Sequence, residues 1–306
     1  MFKKLIFMGT PMFAVPILKS LYQNGYNISC VYTQPPQKSK RGQKINKSPI
    51  QGISETLNLE YRTPSILNNE DEYNYLKSLD ADLVVVVAYG QIIPKKFLSL
   101  AKKGFINIHA SLLPKWRGAA PIQRSIMNLD QETGISIMRI AEKLDTGPVC
   151  NSYKIELNNN MNALEISEKL SNLAAEKILD NVDDILEDKA NFVEQDHSNA
   201  TYASKIQKVE GQINWDENAE KIIGKINGLY PSPGAFFIFN GERYKILKAQ
   251  IGRVQGNPGS VLSDNLEIAC GNNQSIIIKE IQRQGKRPQN IGEFIQGSQI
   301  KKGSKI

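Results

Sequence analysis

The chain is poor in the residues that build disulfide frameworks and metal sites. Its 306 residues include two histidines and three cysteines, and Cys30, Cys150 and Cys270 lie far apart. No pair has the short spacing of a metal-ligating motif, and three separated thiols do not predict a disulfide scaffold. We therefore expect buried free thiols and no metal.

Long apolar runs are absent as well. No stretch approaches the ~18 residues that a membrane span requires, and VVVV at 84–87 is typical of a buried strand. The start, MFKKLIFMGTP, imitates a signal peptide, but its apolar run is too short and ends at Gly-Thr-Pro. We interpret it as a first strand and expect a cytoplasmic protein that contacts no membrane.

Gly-Thr-Pro also lacks the G-x-G-x-x-G fingerprint, which argues against a dinucleotide site.

Acidic residues are missing from residues 34–48, within a chain of net charge +7. This basic loop carries five cations, Lys38, Lys40, Arg41, Lys44 and Lys47. Residues 206–306 are also positive, with 14 basic and 9 acidic residues, whereas residues 161–189 hold eight acids and three lysines. A large anionic partner would therefore meet one side of the protein. By itself such a loop is more often a solvated surface than a nucleic-acid site.

Hydrophobic periodicity predicts an α/β fold for the first part of the chain. Strand-like runs at KLIFMGT, NISCVYTQ, DLVVVVAYG and FINIHAS alternate with helical patterns, one of them at PKKFLSLAKKG. This order is typical of a doubly wound, mostly parallel sheet that binds ligands at the carboxyl ends of its strands.

The pattern changes after residue 189. A long amphipathic helix over 164–186 closes a first domain at 1–189, and the aperiodic segment EQDHSNATYASKI lies in a linker at 190–205. Strand-like runs GAFFIFNG, RYKILKAQ, GSVLSD, LEIACG and SIIIKEIQ follow between turn residues. They predict a small antiparallel β-barrel or sandwich over 206–306. In the linker, His197 is expected to be an exposed bystander.

The stretch FINIHASLLPKWRGAAP at 105–121 carries the most specific chemistry. If 105–111 is a strand, Asn107 and His109 project from the same face and can share one pocket. The amide offers neutral N–H donors, and the imidazole can carry a proton near neutral pH. Together they suit attack on a carbonyl, with the amide stabilising the oxyanion and the imidazole managing the proton.

A third group is needed to orient the histidine or to stabilise its protonated form. Asp145, in the Leu-Asp-Thr-Gly turn after a strand, is the candidate, although spacing alone does not show that the two residues meet. Asp-Thr-Gly also begins the active turn of aspartic proteases. Those enzymes need two such turns, and this chain has one.

The motifs NIHASLLPKWRGAAPIQRSI and LDTGP resemble the methionyl-tRNA formyltransferases of the folate-dependent formyltransferase superfamily. GTPMFAVPIL, the TQP and RG of the basic loop, VVVVAYG and YPSPGA extend the resemblance over nearly the whole chain, with the C-terminal match the looser one. The chain departs from the expected Pro-Trp-Pro at Pro231-Ser232-Pro233 and has Asn227 where an arginine is expected.

The resemblance implies a role for each matching residue. Asn107 would polarise the formyl oxygen of 10-formyltetrahydrofolate, His109 would assist proton removal from the attacking amine, and Asp145 would support both through His109 or a bound water. The folate-contacting segment would be Ser111, Leu112, Leu113 and Pro114. The acceptor would be methionyl initiator tRNA, bound through Lys38, Lys40, Arg41, Lys44 and Lys47 and by an oligonucleotide-binding-like (OB-like) barrel. We expect a monomer.

Two other classes of function stay open on the sequence. A folate-dependent formyltransferase or formyl-folate hydrolase acting on a small molecule would share Asn107, His109 and Asp145 but would not need the basic loop. A non-catalytic RNA-binding protein would need the loop, and Asn107→Ala would then leave its function unchanged.

Overall fold

The computed structural model describes residues 3–39, 44–158 and 160–306. The chain forms two compact units. The first comprises Met1–Gly118, Gly134–Ile155 and Ser167–Tyr202, and the second comprises Ala119–Thr133, Glu156–Ile166 and Ala203–Ile306. The domain division at 190–205 stays a prediction. In the part of the chain that the structure describes, no helix combines the length and hydropathy needed to cross a membrane.

The helices and strands follow the predicted alternation. In the described ranges the helices are α1 (Val15–Gln23), α2 (Pro49–Thr56), α3 (Glu70–Ser78), α4 (Pro121–Met127), α5 (Ala163–Leu186), α6 (Ala219–Gly228) and α7 (Ile291–Gly297). The strands are β1 (Lys4–Gly9), β2 (Asn27–Tyr32), β3 (Gln37–Ser39), β4 (Lys44–Asn46), β5 (Tyr61–Arg62), β6 (Leu83–Val87), β7 (Phe105–His109), β8 (Arg117–Gly118), β9 (Glu132–Arg139), β10 (Val149–Glu156), β11 (Tyr202–Ala203), β12 (Ala235–Phe239), β13 (Glu242–Ile251), β14 (Glu267–Cys270), β15 (Gln274–Arg283) and β16 (Gln289–Asn290). Side chains of Ser48, Asn69 and Asn218 cap the N-termini of α2, α3 and α6.

A seven-stranded mixed sheet in the order β10-β9-β7-β6-β1-β2-β5 forms the centre of the first unit. β2, β1, β6 and β7 run parallel, which confirms the predicted mostly parallel sheet, and β9 pairs antiparallel with β7. All five residues of β6 are buried, as an unbroken branched run predicts for a strand covered on both faces. The carboxyl end of β7 therefore lies beside that of β6, where a site is expected.

The predicted amphipathic helix is confirmed as α5. Its apolar stripe is almost fully buried, at Ile166, Leu170, Ala174, Ile178, Val182 and Ile185. In the first unit this helix is also bonded to α1, because the Ser20 hydroxyl donates to the Ala175 carbonyl at 2.6 Å. Tyr26 donates to the carboxylate of Asp183 at 2.6 Å.

The helix predicted over residues 94–104 is wrong. Only a 3₁₀ turn forms there, at Lys95–Phe97. The amides of Lys102 and Lys103 donate to the carbonyls of Ala81 and Asp82 instead of to their own segment. Tertiary bonds to the start of β6 thus replace the helical ones.

The second unit contains an antiparallel sheet in the order β12-β13-β15-β14, with β16 paired to β15. Its core includes Trp215, Phe237, Tyr244 and Phe294, and α6 contributes Ile222, Ile223 and Ile226. The predicted antiparallel character is confirmed, whereas α6 and α7 were not predicted. The run GSVLSD forms no strand, because Ser260 and Val261 make only isolated bridges to Lys305 and Ile268.

Within the second unit, Arg124 on α4 forms a two-bond ion pair with Glu210. Its Nη1 lies 2.6 Å from Oε2 and its Nη2 lies 3.2 Å from Oε1. The hydrogen bonds and charge of Arg124 hold the pKa of Glu210 below its usual value. A depressed pKa stabilises the fold above the unfolded-state pKa, and this contribution disappears as the pH falls through the folded-state pKa.

We expect Glu210→Gln to lower the free energy of unfolding by about 1–2 kcal/mol at neutral pH, because one charge-assisted pair is lost. The difference from the unchanged protein should shrink below about pH 4, where the carboxyl of the unfolded chain is protonated. Urea denaturation of both proteins at neutral pH and below about pH 4 measures this difference in the free energy of unfolding. A deficit that stays constant with pH would show that charge pairing is not its source.

Candidate active site

β7 carries the two residues that sequence analysis placed in one pocket. Asn107 pairs in register with Val86 of β6 and Met138 of β9, so it lies in the interior of the sheet near its carboxyl edge. Its side chain is half-buried, and its amide has no hydrogen-bond partner among the described residues. Because His109 is two residues further along the strand, both side chains project from the same face. An unbonded amide at this place can donate to a ligand oxygen.

The ring of His109 is held in one orientation. Only 7% of the side chain is exposed, and Nε2 lies 2.9 Å from the backbone carbonyl oxygen of Trp116. Since a carbonyl can only accept, Nε2 carries a proton and donates it. Nδ1 is therefore the nitrogen that can take up a proton. Trp116, which supplies this carbonyl, has a φ of 61°, a left-handed conformation that few non-glycine residues adopt.

Asp145 lies next to this nitrogen. Its Oδ2 is 3.7 Å from His109 Nδ1 and accepts a hydrogen bond of 2.8 Å from the backbone N–H of Gly118. Asp145 also has a left-handed backbone, with a φ of 52°, in the loop between β9 and β10. Strained residues of this kind gather at functional sites, where the surrounding structure enforces them. The structure thus brings together an imidazole and a carboxylate that are 36 residues apart in the sequence.

The predicted folate-contacting segment forms a turn that is bonded to β9. Ser111 is fully buried, and its hydroxyl donates to the Lys115 carbonyl at 2.6 Å. The hydroxyl of Ser136 donates to the Ser111 carbonyl and accepts from the N–H of Leu113. Leu112, Leu113 and Pro114 are half-buried. Ser111 therefore stabilises the turn, and folate contact through this segment stays a prediction.

Part of the basic loop is an antiparallel hairpin of β3 and β4, in which Lys38 pairs with Ile45. Lys40 and Arg41 lie outside the described residues. Lys44 begins β4, and the exposed Lys47 forms an ion pair of 2.8 Å with Glu55. The basic loop contains no acidic residue, but in the folded chain Glu55 of α2 lies beside it.

Sequence reasoning missed three residues around Asp145. Arg117 is only 2% exposed, and its guanidinium donates to the side-chain oxygen of Gln195 at 2.7 and 3.1 Å and to His197 Nδ1 at 2.8 Å. His197 is exposed, as predicted, but it accepts a hydrogen bond from the buried Arg117 and so takes part in this cluster. Gln195 is buried although its segment has no periodic pattern. A periodicity search finds strands and helices, so it gives no signal for a buried residue in an irregular segment.

The arrangement combines a neutral N–H donor, a proton acceptor and a carboxylate that stabilises the protonated acceptor. It lacks a side-chain nucleophile among these three groups. Such a set is suited to transfer of an acyl group to an amine that attacks directly, with oxyanion stabilisation from the amide and proton transfer through the imidazole.

Comparisons with known proteins give matches over most of the chain. Residues 3–182 match the family described as Formyl transferase, and residues 205–299 match Formyl transferase, C-terminal domain. The chain is 70% identical to the methionyl-tRNA formyltransferase of Pelagibacter ubique, across 100% of this chain and 99% of that protein. It is 40% identical to the protein of the same name from Roseobacter denitrificans, with 98% of each covered.

Solved structures with the same fold are more distant in sequence. The sugar 3N-formyltransferase WlaRD, crystallised with dTDP and 5-N-formyl-THF, superposes with a TM-score of 0.71 at 20% identity, over 94% of this chain and 100% of that one. An N-formyltransferase from Helicobacter canadensis, in complex with folinic acid and dTDP-3-aminofucose, gives 0.68 at 18% identity, over 91% and 99%. At these identities the likeness concerns the fold alone.

Proposed function

This chain belongs to the formyl transferase family, and on that premise we propose that it transfers the formyl group of 10-formyltetrahydrofolate to the α-amino group of methionyl initiator tRNA. The observation that carries the chemistry is the pairing of His109 Nδ1 with Asp145 while Nε2 is fixed on Trp116. The observation that supports the acceptor is 70% identity to a methionyl-tRNA formyltransferase over the full length. The reaction would take place in the cytoplasm, with the enzyme as a monomer.

Asn107 stabilises the charge that develops during attack. The amine forms a bond to the formyl carbon, and the carbonyl oxygen becomes an oxyanion. The free amide of Asn107 donates to that oxygen, and the pairing of its backbone with β6 and β9 holds its Cα in place before the reaction begins. A donor of this kind contributes about 2.7–4 kcal/mol to transition-state stabilisation.

His109 and Asp145 manage the proton. Nδ1 of His109 accepts the proton that the attacking amine loses, and the carboxylate of Asp145 stabilises the resulting imidazolium from 3.7 Å. The bond between the formyl carbon and N10 of the folate then breaks, and the imidazolium returns the proton to N10. The amine needs little activation, because a free α-amino group titrates near about 7.7–8.0. Positioning and oxyanion stabilisation therefore contribute more than base strength.

Initiator tRNA would contact the basic loop and the positive second unit. We propose that Lys38, Lys40, Arg41, Lys44 and Lys47 lie along the acceptor end, with Lys47 exchanging Glu55 for a phosphate. The surplus of basic residues over 206–306 supports binding of the tRNA backbone there. Such contacts release counterions and make binding strongly dependent on salt.

The experiment that tests the function is a transfer assay with charged initiator tRNA and 10-formyltetrahydrofolate, with each omitted in turn. Formylmethionyl-tRNA should form only when both are present. Formyl-folate consumption without tRNA would favour the hydrolase or small-molecule transferase. Binding of tRNA without product would favour a non-catalytic RNA-binding protein.

Arg41→Ala should raise the KM for tRNA about tenfold at low salt and leave folate binding unchanged, because only the tRNA contact is lost. The slope of log affinity against log salt should fall by about 0.7–0.9, the contribution of one phosphate contact. Lys19→Ala, on the exposed face of α1, is the matched control and should change neither quantity. Unchanged tRNA kinetics at every ionic strength would remove the basic loop from the tRNA site.

A further inference from the structure

The irregular segment 195–201 is hydrogen-bonded to the candidate active site at both ends. At one end, the side-chain nitrogen of Gln195 donates to the carbonyls of Asp145 and Gly147, at 2.9 and 2.7 Å. Gln195 is buried, and of its two bonds the one to Gly147 is buried and the one to Asp145 is partly buried. Both N–H groups of one amide thus hold the turn that carries the Asp145 carboxylate.

The side-chain oxygen of Gln195 is hydrogen-bonded to Arg117 on β8. It accepts two hydrogen bonds from the buried guanidinium of Arg117, whose next residue, Gly118, donates its N–H to Asp145 Oδ2. Arg117 also donates to His197 Nδ1, which must therefore be unprotonated to accept. Gln195 consequently joins the backbone of Asp145 to the strand that binds its carboxylate.

The other end of the segment holds the partner of His109. The hydroxyl of Thr201 accepts from the N–H of Trp116 at 2.8 Å, and the Thr201 carbonyl accepts from the N–H of Arg117 at 2.9 Å. Trp116 is the residue whose carbonyl fixes Nε2 of the imidazole. The segment is thus bonded to the groups that place both His109 and Asp145.

From this geometry we propose that Gln195 is a positioning residue for formyl transfer. By bonding the Asp145 turn to Arg117, it holds the carboxylate at its distance from His109 Nδ1. The inference rests on the proposed function, since the role assigned to Gln195 acts through Asp145.

The backbone of the turn explains why such a restraint is needed. Asp145 has a left-handed φ, which costs free energy and persists only where surrounding bonds offset that cost. Without the amide, the carbonyls of Asp145 and Gly147 would lose their donor and the turn could relax. A displacement of about 1 Å at a catalytic group is enough to slow a reaction about a hundredfold.

The variant Gln195→Glu distinguishes the donor role of the amide nitrogen from the acceptor role of the amide oxygen. The carboxylate keeps acceptors for Arg117 but places an oxygen instead of an N–H against the carbonyls of Asp145 and Gly147. We expect kcat to fall about 10- to 100-fold, with the KM for each substrate within about twofold of the unchanged protein. Gln23→Glu, at the exposed end of α1, is the matched control and should keep full kcat.

A coupling measurement distinguishes positioning from a loss of folding. Asp145→Asn is expected to cost less than about tenfold in a Gln195→Glu or Gln195→Met background, because the carboxylate is already displaced there. Gln195→Met keeps the volume and serves if the glutamate variant does not fold. Full kcat in a folded Gln195 variant, or an undiminished effect of Asp145→Asn in it, would overturn the proposal. If the unchanged protein forms no formylmethionyl-tRNA, the proposed function fails instead.

Discussion

Replacing Asn107 by alanine is expected to slow formyl transfer about 100- to 1000-fold and to leave the Kd for the formyl donor close to that of the unchanged protein. The amide has no partner within the described residues, so its removal leaves no unsatisfied group behind. The donor is aimed at charge that exists only in the transition state, and kcat and kcat/KM should therefore fall together. Single-turnover formylation of charged initiator tRNA measures the chemical step.

The matched control for this substitution is Asn74→Ala. Asn74 lies on the exposed face of α3, and its removal should leave the rate unchanged. If Asn107→Ala raised KM alone, the amide would bind the ground state, and the oxyanion role would be wrong.

Asp145→Asn is expected to slow transfer about 100- to 10,000-fold, the range found for groups that act in proton transfer. The asparagine side chain keeps an oxygen for the N–H of Gly118, so the turn retains its bond. What disappears is the negative charge that faces Nδ1 of His109 and stabilises its protonated form. The loss should therefore appear in kcat while the thermal stability changes little.

Asp71→Asn supplies the control for charge removal as such. Asp71 is exposed in the first turn of α3, and the variant should transfer formyl groups at the normal rate. A full rate in Asp145→Asn itself would assign the aspartate to the structure of the turn alone.

The strands of the main sheet are predictable because their signals are local. Four buried valines in succession at 84–87 and the alternation around Asn107 and His109 specify β6 and β7 from neighbouring residues alone. The stripe of α5 is equally local, since its apolar residues recur at helical spacing. Local patterns thus predicted the elements that carry two of the three candidate residues.

Features that depend on distant bonds were not predictable in this way. Residues 94–104 have a helical pattern, yet the amides of Lys102 and Lys103 bond to the residues just before β6. The burial of Arg117 and Gln195 likewise depends on a loop, a strand and an irregular segment that meet only in the folded chain. The contact between His109 and Asp145 could not be predicted for the same reason. The left-handed backbone of Trp116 could not be predicted either, because the identity of a bulky residue does not indicate a positive φ.

The central claim is that Asp145 acts through His109, and a double-mutant cycle on formyl transfer tests it most directly. Single-turnover rates are measured for the unchanged protein, His109→Ala, Asp145→Asn and the double variant. Residues that act as one unit are not additive, so the double variant should be within about threefold of the slower single variant. Losses that multiply in the double variant would contradict the claim and would make the 3.7 Å contact incidental to catalysis.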